Sequence, residues 1–96
     1  MLTGKQRSYL KGIANSLPAI LQVGKGGITD NLIRQVDEVL EARELIKGTV
    51  LRNSELEVRQ VCEEIAQKVR AEIVQVIGSR FVLYRESRED KVIQLP

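Results

Sequence analysis

The stretch Ala19–Leu40, AILQVGKGGITDNLIRQVDEVL, holds a strand, a bare loop and a helix in immediate succession. Ala19 to Val23 is a short apolar run of strand length. Gly24-Lys25-Gly26-Gly27 carries too little side chain to belong to a regular element. Leu32, Ile33, Val36, Val39 and Leu40 then recur at the spacing of one helix face, with Asp37, Glu38 and Glu41 on the other. A strand that turns through glycines into an amphipathic helix is half of an α/β unit, and the flanking sequence supplies the rest.

Upstream, Thr3 and Gln6 have the spacing of a capping box, and Leu10, Ile13, Ala14 and Leu17 follow at helical intervals. This predicts a helix to about Ser16, stopped by the restriction that Pro18 places on Leu17. Downstream, Leu45 to Leu51 reads as a second strand, with Gly48 marking a bulge or a close backbone approach. Ser54 and Glu57 form a second capping box ahead of the stripe Val58, Val61, Cys62, Ile65, Ala66 and Val69. Ile73 to Ile77 and Arg80 to Arg85 are strand-like, and Gly78-Ser79 between them suits a type II′ hairpin. The charged run Glu86 to Asp90 reads as loose, whereas Val92, Ile93 and Leu95 suit an extended edge. The order α-β-α-β-α-β-β predicts a single two-layer α/β domain over residues 1–96 with a mixed sheet. The crossover helices lie on one face of it.

At 96 residues, 43% apolar and 29% charged, the chain has the balance of one globular domain. No run approaches the roughly 18 apolar residues of a membrane span, and the N-terminus lacks the apolar core of a signal peptide. A cytoplasmic protein with no membrane partner is expected. Cys62 is the one cysteine, so no internal disulfide forms, and the lack of histidine argues against a metal centre and removes the commonest general base. The net charge of +2 is unevenly spread: Lys5, Arg7, Lys11 and Lys25 precede any acid, while Asp30 to Glu44 holds five acids against Arg34 and Arg43. Lys47 and Arg52 follow without an intervening acid, and Arg80, Arg85 and Arg88 cluster after Gly78. Such concentration invites a polyanion.

The glycine loop narrows the chemistry. GKGGITDN is not a Walker A loop. Gly24-x-Gly26 matches only the first half of a dinucleotide fingerprint, with Thr29 in place of its last glycine and Arg52 near the expected acid. No nucleotide cofactor and no small-molecule substrate is expected. What remains is G-x-x-G, Gly24 to Gly27, whose missing side chains let the main chain approach a nucleic-acid backbone, with Lys25 as an added phosphate contact. Three glycines and a lysine exceed what a turn needs. Asp30 at the helix start opposes a phosphate there. Cys62 falls in phase with the apolar stripe and reads as a buried, inert thiol, Glu63 and Glu64 as a solvated face, and Phe81 as core. Tyr9 and Tyr84 read as packed rings with wet hydroxyls, too few for a stacking platform.

Leu2-Thr3-Gly4-Lys5-Gln6-Arg7, Val23-Gly24-Lys25-Gly26-Gly27-Ile28-Thr29, Glu44-Leu45-Ile46-Lys47 and Val82-Leu83-Tyr84-Arg85 occur in an order that spans nearly the whole chain. In these blocks the sequence resembles the bacterial YhbY-like proteins, single-domain members of the CRM group (chloroplast RNA splicing and ribosome maturation). It departs from their pattern at Glu86, where proline is frequent, and at Gly48, where a larger residue is usual. The resemblance implies a fold similar to the C-terminal domain of translation initiation factor three, with a four-stranded mixed sheet. It also implies RNA binding and association with large ribosomal subunit precursors; the expectation is a non-catalytic protein whose partner is large-subunit rRNA, with ribosomal proteins as secondary candidates. The expected RNA-binding residues are Gly24, Lys25, Gly26 and Gly27 of the loop, with main-chain N–H groups of Gly26 and Gly27 on phosphates. Lys5, Arg7, Lys11, Lys47, Arg52, Arg80 and Arg85 would add charge. The competing expectation is a module that docks on a ribosomal protein and touches RNA incidentally.

Overall fold

The structure, a computed structural model, describes residues 1–24, 26–51 and 57–96. Helix α1 covers Gly4–Ala14, and both halves of its capping box form: Thr3 Oγ1 accepts from the Gln6 N–H at 3.1 Å and Gln6 Oε1 from the Thr3 N–H at 3.0 Å. Strand β1 is Ala19–Val23, helix α2 Asp30–Arg43, strand β2 Leu45–Val50, helix α3 Val58–Val69, strand β3 Glu72–Ile77 and strand β4 Arg80–Tyr84. The start of α3 differs from expectation. Glu57 is its N-cap and makes no side-chain capping bond, so the helix opens after the residues that suggested the second capping box. Ser54 of that box lies outside the described residues.

The sheet has the order β1-β2-β4-β3, with β1 parallel to β2 and β4 antiparallel to both its neighbours. The connection through α3 therefore carries β3 past a gap, and the hairpin at Gly78-Ser79 returns β4 into it. Gly78 adopts φ 56°, the positive value that a type II′ turn requires at its first central residue. Placed centrally, Phe81, Val82, Leu83 and Tyr84 are all buried.

Strand alternation sorts these side chains onto two faces. Ile46, Val50, Phe81 and Leu83 join Val36 and Leu40 of α2 and Val61, Cys62 and Ile65 of α3 in one core. Leu45, Val82 and Tyr84 join Leu10 and Ala14 of α1 in a second, which Ile93 and Leu95 cover from the C-terminal segment. The helices after the glycine loop thus form the layer on one face, as expected. The first helix lies on the other, adding a partial third layer to the two read from the sequence. Gly48 is the site of a close approach, to Phe81, and the register irregularity sits across from it at Ile20 of β1.

The charged segment after β4 is tied down, contrary to its loose reading. The buried carboxylate of Glu44 accepts from the N–H groups of Ser87, Val92 and Ile93, while Glu41 accepts from the Ser87 hydroxyl and the Arg88 N–H. No strand forms from Val92 to Leu95, because these donors are spent on side-chain carboxylates and not on a sheet edge.

Candidate nucleic-acid interface

Parallel pairing of β1 with β2 places Val23 beside Val50, so Gly24 and Leu51 leave the sheet side by side. The Leu51 N–H donates to the Val23 carbonyl at 2.9 Å and the Val50 N–H to the Ser79 carbonyl at 2.8 Å. One end of the domain therefore gathers the glycine loop, the start of α2 and the β3–β4 turn. Ligands of open α/β sheets collect at this end, outside the carboxyl ends of the parallel strands.

Within the loop, the Gly27 N–H donates to the Gly24 carbonyl at 3.0 Å, and Gly27 takes φ 70°. That donor is occupied inside the turn, where Gly27 shapes the loop through its left-handed backbone. Gly26 is exposed, and a Cβ built on it would meet nothing within 4 Å. Its open backbone is where a phosphate can come close. Gly24 abuts Leu51, with 3.5 Å from an added Cβ to Leu51 Cδ1. Lys25 and Arg52 lie outside the described residues.

Thr29 caps α2, its Oγ1 accepting from the Leu32 N–H at 3.1 Å. Asp30 is exposed in the first turn and already complements the positive helix end, so this N-terminus favours phosphate less than a carboxylate-free one would. On the α2–α3 side the loop borders a groove lined by Gly27, Ile28, Glu57, Gln60, Val61 and Glu64. Its two carboxylates disfavour a phosphate there, in contrast to the α1 side of the sheet.

That side is basic. Arg7, Lys11 and Asn15 succeed one another at four-residue intervals along α1, and Lys5 is exposed on the same helix. Lys47 of β2 and Arg80 of β4 share the face of Leu45, Val82 and Tyr84, beneath α1. Asn15 and these two cations line one groove with Gln75, Ile77 and Val82. Among the described residues, Lys5, Arg7, Lys11, Lys47 and Arg80 make no ion pair.

Arg85 is placed elsewhere. Its guanidinium donates to Asp37 Oδ1 at 2.6 Å, to the Asp37 carbonyl at 3.0 Å and to the Val69 carbonyl at 2.8 Å, with the side chain only 14% exposed. It clips α2 to α3 and is spent on protein acceptors, which corrects its expectation as a phosphate contact. Its place just past β4, on the parity of Phe81 and Leu83, turns it toward the helices.

Asn15, Gln75 and Ile77 are groove residues that composition and motif did not point to. Tyr84 is buried, and burial raises its phenol pKa, so it is no stacking ring. Tyr9 is 44% exposed on α1, more open than its reading as a packed ring. Cys62 is fully buried, and burial pushes its thiol up to about 11, the inert state expected of it.

Residues 2–85 match the family model of the CRS1 / YhbY (CRM) domain. A protein of Bacillus subtilis strain 168 named "Probable RNA-binding protein YqeI" is 52% identical over 96 residues, covering 100% of both chains. An "RNA-binding protein" of Haemophilus influenzae is 38% identical over 96 residues, covering 99% of this chain and 95% of its own. The solution structure of the hypothetical protein SAV1595 from Staphylococcus aureus superposes with a TM-score of 0.82 at 51% identity, covering 100% of each chain.

Proposed function

The chain belongs to the CRS1 / YhbY (CRM) domain family, and from that membership we propose that it is a non-catalytic, cytoplasmic RNA-binding protein acting on precursors of the large ribosomal subunit. The observation that carries the reading is the sorting of charge. Among the described residues Lys5, Arg7 and Lys11 of α1, Lys47 of β2 and Arg80 of β4 make no ion pair, and Lys47 and Arg80 lie on the sheet face that α1 covers, while Glu57 and Glu64 line the groove on the α2–α3 side of the loop. Structured RNA suits this surface, because scattered cations and an open backbone at Gly26 hold phosphates in space without a row of aromatic rings. Relatives named as RNA-binding support the choice of RNA.

The test is the salt dependence of binding to large-subunit rRNA fragments for the native chain, Lys25→Ala and Gly26→Asp. Log affinity should fall with log salt by roughly 0.7–0.9 per neutralised phosphate, and Lys25→Ala should flatten the line by about one contact. Gly26→Asp should fold, since its side chain enters open space, yet bind more weakly. A shallow slope indifferent to both changes would refute the reading. Co-sedimentation with large-subunit precursor particles tests the assembly role separately.

One observation favours a second reading, a module that docks on a ribosomal protein. An apolar groove of about 340 Å³ lies at the β1 edge, where Ile13, Leu17, Pro18, Ile20 and Val92 meet. That reading predicts association that survives Lys25→Ala and is lost in Ile20→Asp.

A further inference from the structure

The basic groove beneath the end of α1 has a composition that phosphate binding alone does not require. Asn15, the C-cap of α1, and Gln75 of β3 place two side-chain amides beside Lys47 and Arg80, and Ile77 and Val82 complete the lining. Neither amide makes a hydrogen bond among the described residues. Ile77 is 61% exposed at the tip of its strand, opposite Arg80 in the ladder. Lys47 pairs with Val82, so Lys47 and Arg80 are diagonal neighbours on one sheet face, roughly 7 Å apart by ladder geometry.

We propose that this groove receives one unpaired nucleotide of the bound RNA, the amides of Asn15 and Gln75 reading its base edge while Lys47 and Arg80 hold its phosphate. The inference rests on the RNA-binding reading above and gives it a point of sequence preference. Three properties select a nucleotide. The lining holds two cations and no acid, so the occupant is anionic. Each amide offers both a donor and an acceptor, the pattern that a base edge answers and a bare phosphate or carboxylate leaves half unused. Ile77 gives a base face apolar surface that would otherwise stay wet.

Size and position agree. The groove holds about 250 Å³, below the range of about 300–1,000 Å³ of sites for drug-sized ligands, and suits one base better than a whole cofactor. Its Arg80 and Ile77 end lies toward the glycine loop, since Arg80 pairs with Thr49 and Thr49 with Gln22. Strands β1 and β4 are separated only by β2, so β1, which leads into the loop, and Arg80 lie roughly 10 Å apart across the sheet, within reach of one RNA strand. A base stacked in a duplex cannot turn its edge into such a groove, which is why the occupant is unpaired.

The experiment uses hairpin RNAs of one fixed stem carrying a single bulged A, C, G or U, with an unbulged hairpin as control. Binding is measured by fluorescence anisotropy across salt for the native chain, the double variant Asn15→Ala/Gln75→Ala, Lys47→Ala and Lys25→Ala. The native chain should prefer one bulged base by about fivefold or more, the scale of one good base-edge contact. The amide variant should lose that preference with its salt slope unchanged, because amides neutralise no phosphate. Lys47→Ala should weaken every probe by a common factor and flatten the slope by about one contact. Equal native affinity for all bulges, or a preference that survives loss of both amides, overturns the groove assignment. If that occurs while Lys25→Ala still flattens the slope, the RNA-binding reading stands without it; if the native chain binds no hairpin, both readings fall. Asn15 is exposed and Gln75 half-buried, so the amide variant should keep the native circular dichroism spectrum.

Discussion

The tip of the Phe81 ring fills the space that a side chain on Gly48 would need: a Cβ built there would collide with Cζ and lie 2.9 Å from each neighbouring ring carbon. The two residues are register partners in the β2–β4 ladder. Gly48→Ala should therefore push a fully buried ring out of its seat and cost about 1–3 kcal/mol, the range of overpacked cores. Urea denaturation checks this. Phe81→Leu should cost stability alone but reduce the penalty of Gly48→Ala when combined, since the clashing atoms are gone; simple additivity would reject the account.

Glu44 joins α2 to β2 with φ 67° and no solvent exposure. Burial disfavours its charge, but the N–H groups of Ile93, Ser87 and Val92 together outweigh that and hold its carboxyl below the ordinary 4.5. A group whose pKa is depressed by folding stabilises the fold above the unfolded value and ceases to do so as pH falls through the folded one. Tail docking should thus persist at neutral pH and be lost below 4.5, followed by hydrogen exchange at Ser87, Val92 and Ile93. Glu44→Ala should remove about 2 kcal/mol or more at pH 7, and the gap from the native chain should close in acid.

Arg85 should prove structural. With three bonds to Asp37 and Val69 and little exposure, Arg85→Ala is expected to lower stability by about 1.5–3 kcal/mol, the scale of charged hydrogen bonds. The salt slope of RNA binding should match that of the native chain. A slope flattened by one contact would return Arg85 to the interface.

Cys62 has no exposed surface, and burial pushes its thiol up to about 11, so thiolate is scarce and inaccessible at pH 8. Ellman's reagent should react with it only at the rate of unfolding and at once in concentrated urea. Fast labelling of the folded chain would contradict the packing of α3 against the sheet.

Local pattern in the sequence determined nearly every element of this protein. Side-chain periodicity and capping act within a few residues, which is why Thr3 with Gln6, the stripe of α2, and Gly78 at the hairpin are legible in the order of residues alone. The run of glycines is legible for the same reason, because a positive φ such as that of Gly27 favours a residue without a side chain. Tertiary structure decided what depends on distant partners. Insertion of β4 between β2 and β3 is a choice among strand pairings that no local period encodes, and it alone brings Arg80 beside Lys47. The turn of Arg85 toward Asp37 follows from the same placement, as does the anchoring of Ser87 by Glu44 across the sheet. The Gly27 N–H, bound to Gly24, shows the limit at the smallest scale: composition identified a backbone bare enough to meet a phosphate, and only the fold settled which of its donors the chain spends on itself.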